Sequence, residues 1–251
     1  MDTLLQTPVG QGLVLLGIFL IGIIVLMFIA YSPQTTEVRL FDGSLQGNHT
    51  TQFHQNPAVK GAKMLPRSQN RAGGAEFTYT WWMMVNQFGA ASEPQGVFMK
   101  GYPKPQNQKA PRTFCPSVVV FTKSSGENVL QARFNTYTNE TEVVEVENVP
   151  ISKWFHCTLT VERGMGKMYV NGRLAKTIAF SGVLNQNYGP LVVAPEGGFG
   201  GLVSNLTYYS YAMNPVQAAD SAAIPPNKTL LAQPGADDSL PYISKGWYMC
   251  Q

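Results

Sequence analysis

Apolar and polar positions follow two different patterns along the chain, and the first is a continuous apolar run. From Gly12 to Tyr31 the sequence is GLVLLGIFLIGIIVLMFIAY, and no charged side chain lies between Asp2 and Glu37. About 20 apolar residues rising 1.5 Å each span roughly 30 Å, the thickness of a bilayer's hydrocarbon core. Because a helix satisfies its own backbone there, the run predicts one transmembrane helix at 12–31, after an N-terminal tail at 1–11. The residues expected to contact lipid are Gly12, Leu16, Phe19, Ile23, Phe28 and Tyr31.

The start of the chain does not resemble a cleaved signal peptide. Such a peptide has a basic first region and a shorter apolar run, whereas MDTLLQTPVG is acidic and long. Arg39 flanks the C-terminal side of the run, which favours a cytosolic face for the following domain. N-x-[ST] sequons would suit a lumenal face instead, and they lie at Asn48, Asn139, Asn205 and Asn227. The sequence therefore predicts a single-pass membrane protein and leaves its orientation open, with a preference for the cytosolic face.

The second pattern is alternation with a period of two. In EFTYTWWMMV, residues Glu76 to Val85, every second side chain is large and apolar, starting with Phe77. Many short runs of this kind follow, separated by turn residues and by no long helical pattern. This indicates an all-β fold, an antiparallel sandwich or jelly roll. Asn171-Gly172, between two alternating runs, predicts a type I′ hairpin.

Turn residues divide the rest of the chain into further segments. Residues 32–74 have little periodicity and predict an irregular stalk, and the sandwich is expected at 75–215. The segment 216–251 is expected to hold a short helix capped by Asn214, with Pro215 at its first position, and then a Pro-rich surface tail.

Three stretches carry a resemblance to a known family. They are GGAEFTYTWWMMV, ISKWFHCTLTVERGMGKMYVNGRLAKTIAFSGV and GGFGGLVSNLTYYSYAMNP. Together they resemble the laminin-G-like branch of the concanavalin A-like lectin/glucanase superfamily over roughly Gly73 to Pro215. The apolar run, the entry RSQNRAGGAEFTYTWW and the ending YISKGWY resemble membrane-anchored laminin-G-like proteins encoded by large DNA viruses. That second resemblance implies a virion protein with capsid or other virion proteins as neighbours.

Glutamates in NETEVVEVENVP raise the question of catalysis. Glucanases of the resembling superfamily carry E-x-D-x-x-E on one strand, with the two outer carboxylates about 5 Å apart. Glu142 and Glu147 have the outer spacing, but Val144 stands at the centre and strict alternation places the two glutamates on opposite faces. The sequence therefore predicts a charged edge strand and no catalytic residues, with a degenerate glucanase as an alternative.

The sequence gives no indication of a metal site, a nucleic-acid-binding surface or a disulfide framework. No aspartate lies between Gly43 and Ala219, and His49, His54 and His156 have no metal-ligand spacing, so neither a metal nor a cofactor is expected. The formal charge of +3 is spread thinly, which argues against nucleic-acid binding. Cys115, Cys157 and Cys250 are far apart, and isolated thiols are expected in preference to a Cys115–Cys157 bridge.

Aromatic side chains are the remaining candidates for contacts with a glycan or a protein partner. They are Trp82, Trp154, Tyr208, Tyr211, Trp247 and Tyr248. The predicted function is a non-enzymatic, membrane-anchored interaction module that links a membrane to a virion shell. A metal-independent lectin at a cell or virion surface is the alternative.

Overall fold

The computed structural model describes residues 8–30, 36–71, 74–102 and 113–232. The chain divides into two compact units, Met1–Thr35 and Thr36–Gln251. In the first unit, helix α1 spans Pro8–Ala30. Of the predicted lipid contacts, Leu16 and Phe19 are exposed, Tyr31 lies outside the described residues, and the burial of Gly12 and Phe28 is not among the described features. Ile23 is half-buried.

The membrane-spanning part of the prediction is not supported. Over the part of the chain that the structure describes, no helix is both long enough and apolar enough to cross a membrane.

The second unit is a sandwich of two antiparallel sheets, as the alternation predicted. Its strands are β1 (Glu37–Arg39), β2 (Ser44–Gln46), β3 (Thr51–Phe53), β4 (Gln69–Arg71), β5 (Gly74–Gln87), β6 (Gln95–Tyr102), β7 (Thr113–Thr122), β8 (Asn128–Phe134), β9 (Glu142–Glu147), β10 (Phe155–Glu162), β11 (Met165–Val170), β12 (Arg173–Ala179), β13 (Leu191–Val193) and β14 (Gly200–Tyr209). The first sheet has the order β1-β14-β5-β10-β11-β12, with β2 also on β14 and β4 on β5. The second sheet has the order β3-β13-β6-β7-β8-β9.

The core lies between the sheets and begins with the strand that shows the clearest alternation. Phe77, Tyr79, Trp81, Met83 and Val85 of β5 all point inward and are buried. The outer face of β5 is also covered in part, as expected from its sequence, because the Trp82 indole donates to the carbonyl of Ile224 at 2.9 Å.

The stalk predicted at 32–74 is wrong over its described part, because β1 to β4 lie there and pair with the sandwich. Leu40, Phe41 and Leu45 belong to the core. These strands have three residues each, too few for alternation to be visible in sequence. The tail also joins the sheet edge, because Ser44 donates to the carbonyl of Thr229 at 2.8 Å and accepts from Leu231 at 3.0 Å.

Two local predictions are confirmed. Asn171 and Gly172 have φ of 49° and 75°, the two positive values of the expected hairpin turn. Helix α2 spans Pro215–Ala223, and its cap Asn214 accepts from the Gln217 backbone at 2.9 Å while donating its own backbone N–H to the Gln217 side chain.

Candidate functional site

A cavity of 520 Å³ opens between the two sheets, where β5 and β7 begin and β6 and β14 end. Two loops close its sides, residues 64–68 before β4 and residues 183–188 before β13. These loops are joined by a hydrogen bond of 3.0 Å from the Ser68 hydroxyl to the Gln186 side chain. The volume lies within the range of 300–1,000 Å³ that is typical of small-molecule sites.

Lys100 of β6 lies in the wall of the cavity and is 8% exposed. Its Nζ donates to the carbonyl oxygens of Asn187 at 2.9 Å and Gly189 at 2.7 Å. The Asn187 side chain donates back to the Lys100 carbonyl at 3.2 Å, which ties the loop to the strand. Burial lowers the pKa of Lys100 to about 8, because desolvation disfavours the ammonium.

The thiol and the two phenols that line the cavity from the strands are neutral. Burial raises the pKa of Cys115 to about 12, although the nearby Lys100 ammonium opposes that shift, so the thiol keeps its proton at neutral pH. Burial also raises the pKa of Tyr79 and Tyr208. The Tyr208 hydroxyl donates to the carbonyl of Pro66 at 3.0 Å and so holds the loop 64–68 in place.

The mouth of the cavity carries exposed aromatic rings. Tyr137 is 75% exposed and Tyr188 is 87% exposed, and the exposed Arg67 lies on the loop beside them. No aspartate or glutamate is among the described residues that line the cavity. The site thus combines two cations with aromatic surface.

The glutamates of β9 form a charged edge strand, as predicted, because β9 ends the second sheet. Glu145 and Glu147 both pair with Lys123 at 2.5 Å. Glu142 faces the other way, accepting from the Ser181 backbone at 2.9 Å and the Ser181 hydroxyl at 2.7 Å. Partial burial tends to raise the pKa of Glu142, but the hydrogen bonds from Ser181 outweigh it and the pKa is lowered. Glu142 therefore faces groups that differ from the Lys123 ammonium with which Glu145 and Glu147 pair.

The candidate aromatic contacts do not converge on one surface. Tyr208 lines the cavity, whereas Trp82 lies on the outer face of the first sheet, with its ring centroid 5.2 Å from that of His156. Tyr211 packs against Tyr209 at 5.7 Å, and Trp154 is half-buried. Trp247 and Tyr248 lie outside the described residues.

The sequons differ in exposure. Asn48 and Asn139 are exposed, and Asn139 donates to the Ser181 hydroxyl at 2.8 Å. Asn205 and Asn227 are half-buried, and Asn227 donates to the Asp42 carboxylate at 3.1 Å.

The cysteines of the described residues are isolated thiols. Cys115 and Cys157 are both free and buried, as predicted, and Cys250 lies outside the described residues. Within the described ranges, no three His, Cys, Asp or Glu side chains come together as a metal site would require.

Sequence reasoning missed Lys100, Tyr137 and Tyr188. One indication was present for Lys100, a lysine inside the apolar run GVFMK, two residues after the buried Phe98 and so on the same face. The two tyrosines lie in turn-rich segments, where no periodicity distinguishes them.

Two antiparallel sheets enclosing a ligand-sized cavity define a lectin-like jelly roll. The chain belongs to the concanavalin A-like lectin/glucanase superfamily, because a laminin G family model of that description matches residues 58–219. This confirms the resemblance to the superfamily. The viral, membrane-anchored form is not shown by that match. No curated protein gives a significant match to this sequence.

Solved structures of similar fold include receptor-binding domains of botulinum neurotoxins. The type G receptor binding domain is 11% identical, with a TM-score of 0.48, and the match covers 75% of this chain and 50% of that one. The binding domain of neurotoxin DC, solved in complex with rat synaptotagmin II, is 14% identical with a TM-score of 0.46, covering 59% of this chain and 35% of that one. The chain thus spans between a third and a half of the length of these structures. At such identities the likeness concerns the fold.

Proposed function

We propose that the sandwich is a binding module without catalytic activity and that its ligand enters the cavity beside Lys100. The observation that carries this proposal is the cavity itself, 520 Å³ in volume with a buried cation and two exposed tyrosines at its mouth. Concave sites with aromatic surface and a few polar groups are the usual form of ligand sites in proteins.

Tyr137 and Tyr188 favour a glycan as part of the ligand, since an exposed aromatic face is a stacking surface for a sugar ring. This supports the lectin alternative in a metal-independent form, because the polar groups among the described lining residues are a lysine, an arginine, tyrosines, amides, a serine and a thiol.

Replacing Tyr188 with alanine tests the position of the site. Glycans that bind the full-length protein on an array are expected to bind Tyr188→Ala about fivefold more weakly, since one aromatic contact contributes roughly 1 kcal/mol. Leu174→Ala on β12 is the control, because Leu174 is 56% exposed and does not line the cavity. Equal affinities for the wild type and Tyr188→Ala would place the site elsewhere, and flat binding across all glycans would remove the lectin form of the proposal.

The absence of catalysis is tested on the glutamates. The wild-type protein is expected to release no reducing ends from β-glucans. Glu142 accepts a hydrogen bond from Ser181, whereas Glu147 accepts one from Lys123, so the two carboxylates do not face each other across a cleft as a glucanase requires. Hydrolysis that disappears in Glu142→Gln or Glu147→Gln would restore the glucanase alternative.

We further propose that α1 tethers the module to a membrane. Support comes from the large apolar side chains of its described part, most of which are exposed, including Leu15 at 67%, Ile18 at 62% and Phe19 at 65%. A helix that is apolar on all sides requires a non-aqueous partner.

The full-length protein is expected to stay with the membrane pellet after alkaline carbonate extraction. Leu20→Arg with Ile24→Arg should release it, since each arginine costs about 3 kcal/mol in a bilayer. Leu20→Ile with Ile24→Leu is the matched control, and release of the wild type would end the proposal.

The viral resemblance suggests that the tethered module links a membrane to a shell, with capsid or other virion proteins as its neighbours. Chemical crosslinking in the native assembly identifies those neighbours, and purified virions that lack this polypeptide would rule the proposal out.

A further inference from the structure

Lys100 holds a positive charge that the described part of the cavity does not neutralise. An ammonium has three donors, and two of them are used by the carbonyls of Asn187 and Gly189. No carboxylate lies among the described residues that line the cavity, and Cys115, beside Lys100, is a protonated thiol at neutral pH. A buried charge is costly unless it is paired, so a complementary anion would remove that cost.

The surroundings suggest the form of that anion. Arg67 adds a second cation to the lining of the cavity, but its side chain is exposed, whereas that of Lys100 is buried. One buried cation matches a single negative charge better than the dianion of a phosphate ester, which requires more donors. Tyr79 and Tyr208 line the same space and offer ring surface to the body of the ligand.

We propose that the cavity binds a ligand that carries a carboxylate, with the carboxylate against the Lys100 ammonium and the ligand body between the tyrosines. This inference rests on the proposed function, because it assigns a chemical class to the ligand of the same cavity. The carboxylate can belong to a sugar acid or to an aromatic acid, and the experiment separates these two sources.

The test is calorimetric titration of the full-length protein at pH 7 with sodium glucuronate, sodium benzoate and glucose. At least one acid is expected to bind, and glucose is expected to bind at least about tenfold more weakly because it lacks the charge. Binding of glucuronate alone identifies a sugar acid, and binding of benzoate identifies an aromatic acid. Failure of both acids to bind, or equal binding of glucose and glucuronate, overturns the inference.

Substitution of the lysine supplies a second measurement. Lys100→Met keeps the length and the apolar stem and removes the charge, and it is expected to weaken binding of the acid about tenfold or more. Lys228→Met is the control, because Lys228 is exposed and does not line the cavity. Unchanged affinity in Lys100→Met contradicts the inference.

A pH series on the wild type decides the matter if Lys100→Met does not fold. The affinity for the acid is expected to fall about tenfold between pH 7 and pH 9, as Lys100, with its pKa of about 8, loses its proton. The other charged or titratable side chains that face the cavity are Tyr79 on β5, Cys115 on β7, Tyr208 on β14, and Arg67, Tyr137 and Tyr188 on the loops. Burial raises the pKa of the first three, away from this window. A constant affinity over this range overturns the inference.

The outcomes separate the inference from the function on which it rests. Binding of neutral glycans that is weakened in Tyr188→Ala, with neither acid binding, would support a binding site in the cavity and overturn its assignment to carboxylates. If the acids and the neutral glycans all fail to bind, both proposals fail.

Discussion

Gly198→Ala is expected to lower the free energy of unfolding of the sandwich by about 3 kcal/mol. Gly198 has φ 65° and ψ −148°, a backbone conformation that is nearly restricted to glycine. A Cβ at this position would also overlap the carbonyl oxygen of Gly47 and lie 2.7 Å from the Cβ of Ala194. Since Phe199 donates to that same carbonyl at 2.8 Å, relief of the overlap would break a hydrogen bond between the turn and the end of β2.

Gly197→Ala is the matched control for this effect. Gly197 also has a positive φ, 93°, but a Cβ there would meet nothing within 4 Å. Its substitution therefore carries only the backbone strain, about 1 kcal/mol. Urea denaturation followed by tryptophan fluorescence measures both variants. Equal losses would show that the contact with Gly47 does not restrict the position.

Acidification from pH 6.5 to pH 4 is expected to remove up to about 3 kcal/mol of stability through one residue, His156. This side chain is 2% exposed, and burial lowers its pKa to about 4. Its Nδ1 has no hydrogen-bond partner among the described residues. The unfolded imidazole binds its proton near pH 6.5 and the folded one only near pH 4. The unfolded state therefore binds more protons within this window, and stability falls as the pH falls.

His156→Gln removes this titration while keeping a polar side chain. The variant's free energy of unfolding is expected to depend less on pH between 4 and 6.5 than that of the wild type. His49→Gln is the control, because His49 is exposed. Carboxylates contribute to the acid sensitivity of all three proteins, so the comparison depends on the difference between the curves. Parallel curves for the wild type and His156→Gln would contradict the assignment to His156.

The glutamates of β9 show what alternation along a strand can predict from sequence. Alternation alone separated Glu142 from Glu147, because side chains on a strand change face at every residue whatever the neighbouring strands are. The same rule identified the inward face of β5 and, with the turn preference of Asn171-Gly172, the hairpin between β11 and β12. Where the rule had only three residues to act on, as in β1 to β4, it failed and the stalk was predicted instead.

The sequence alone established the all-β class, indicated the family and excluded a facing pair of carboxylates. Each of these conclusions depends on local periodicity or on motifs within one stretch. The cavity depended on the tertiary structure. Lys100 is brought to the carbonyls of Asn187 and Gly189 across almost 90 positions of sequence, by the pairing of β6 with β13. No local sequence pattern predicts these contacts, because the lysine donates to backbone carbonyls, and every residue has one.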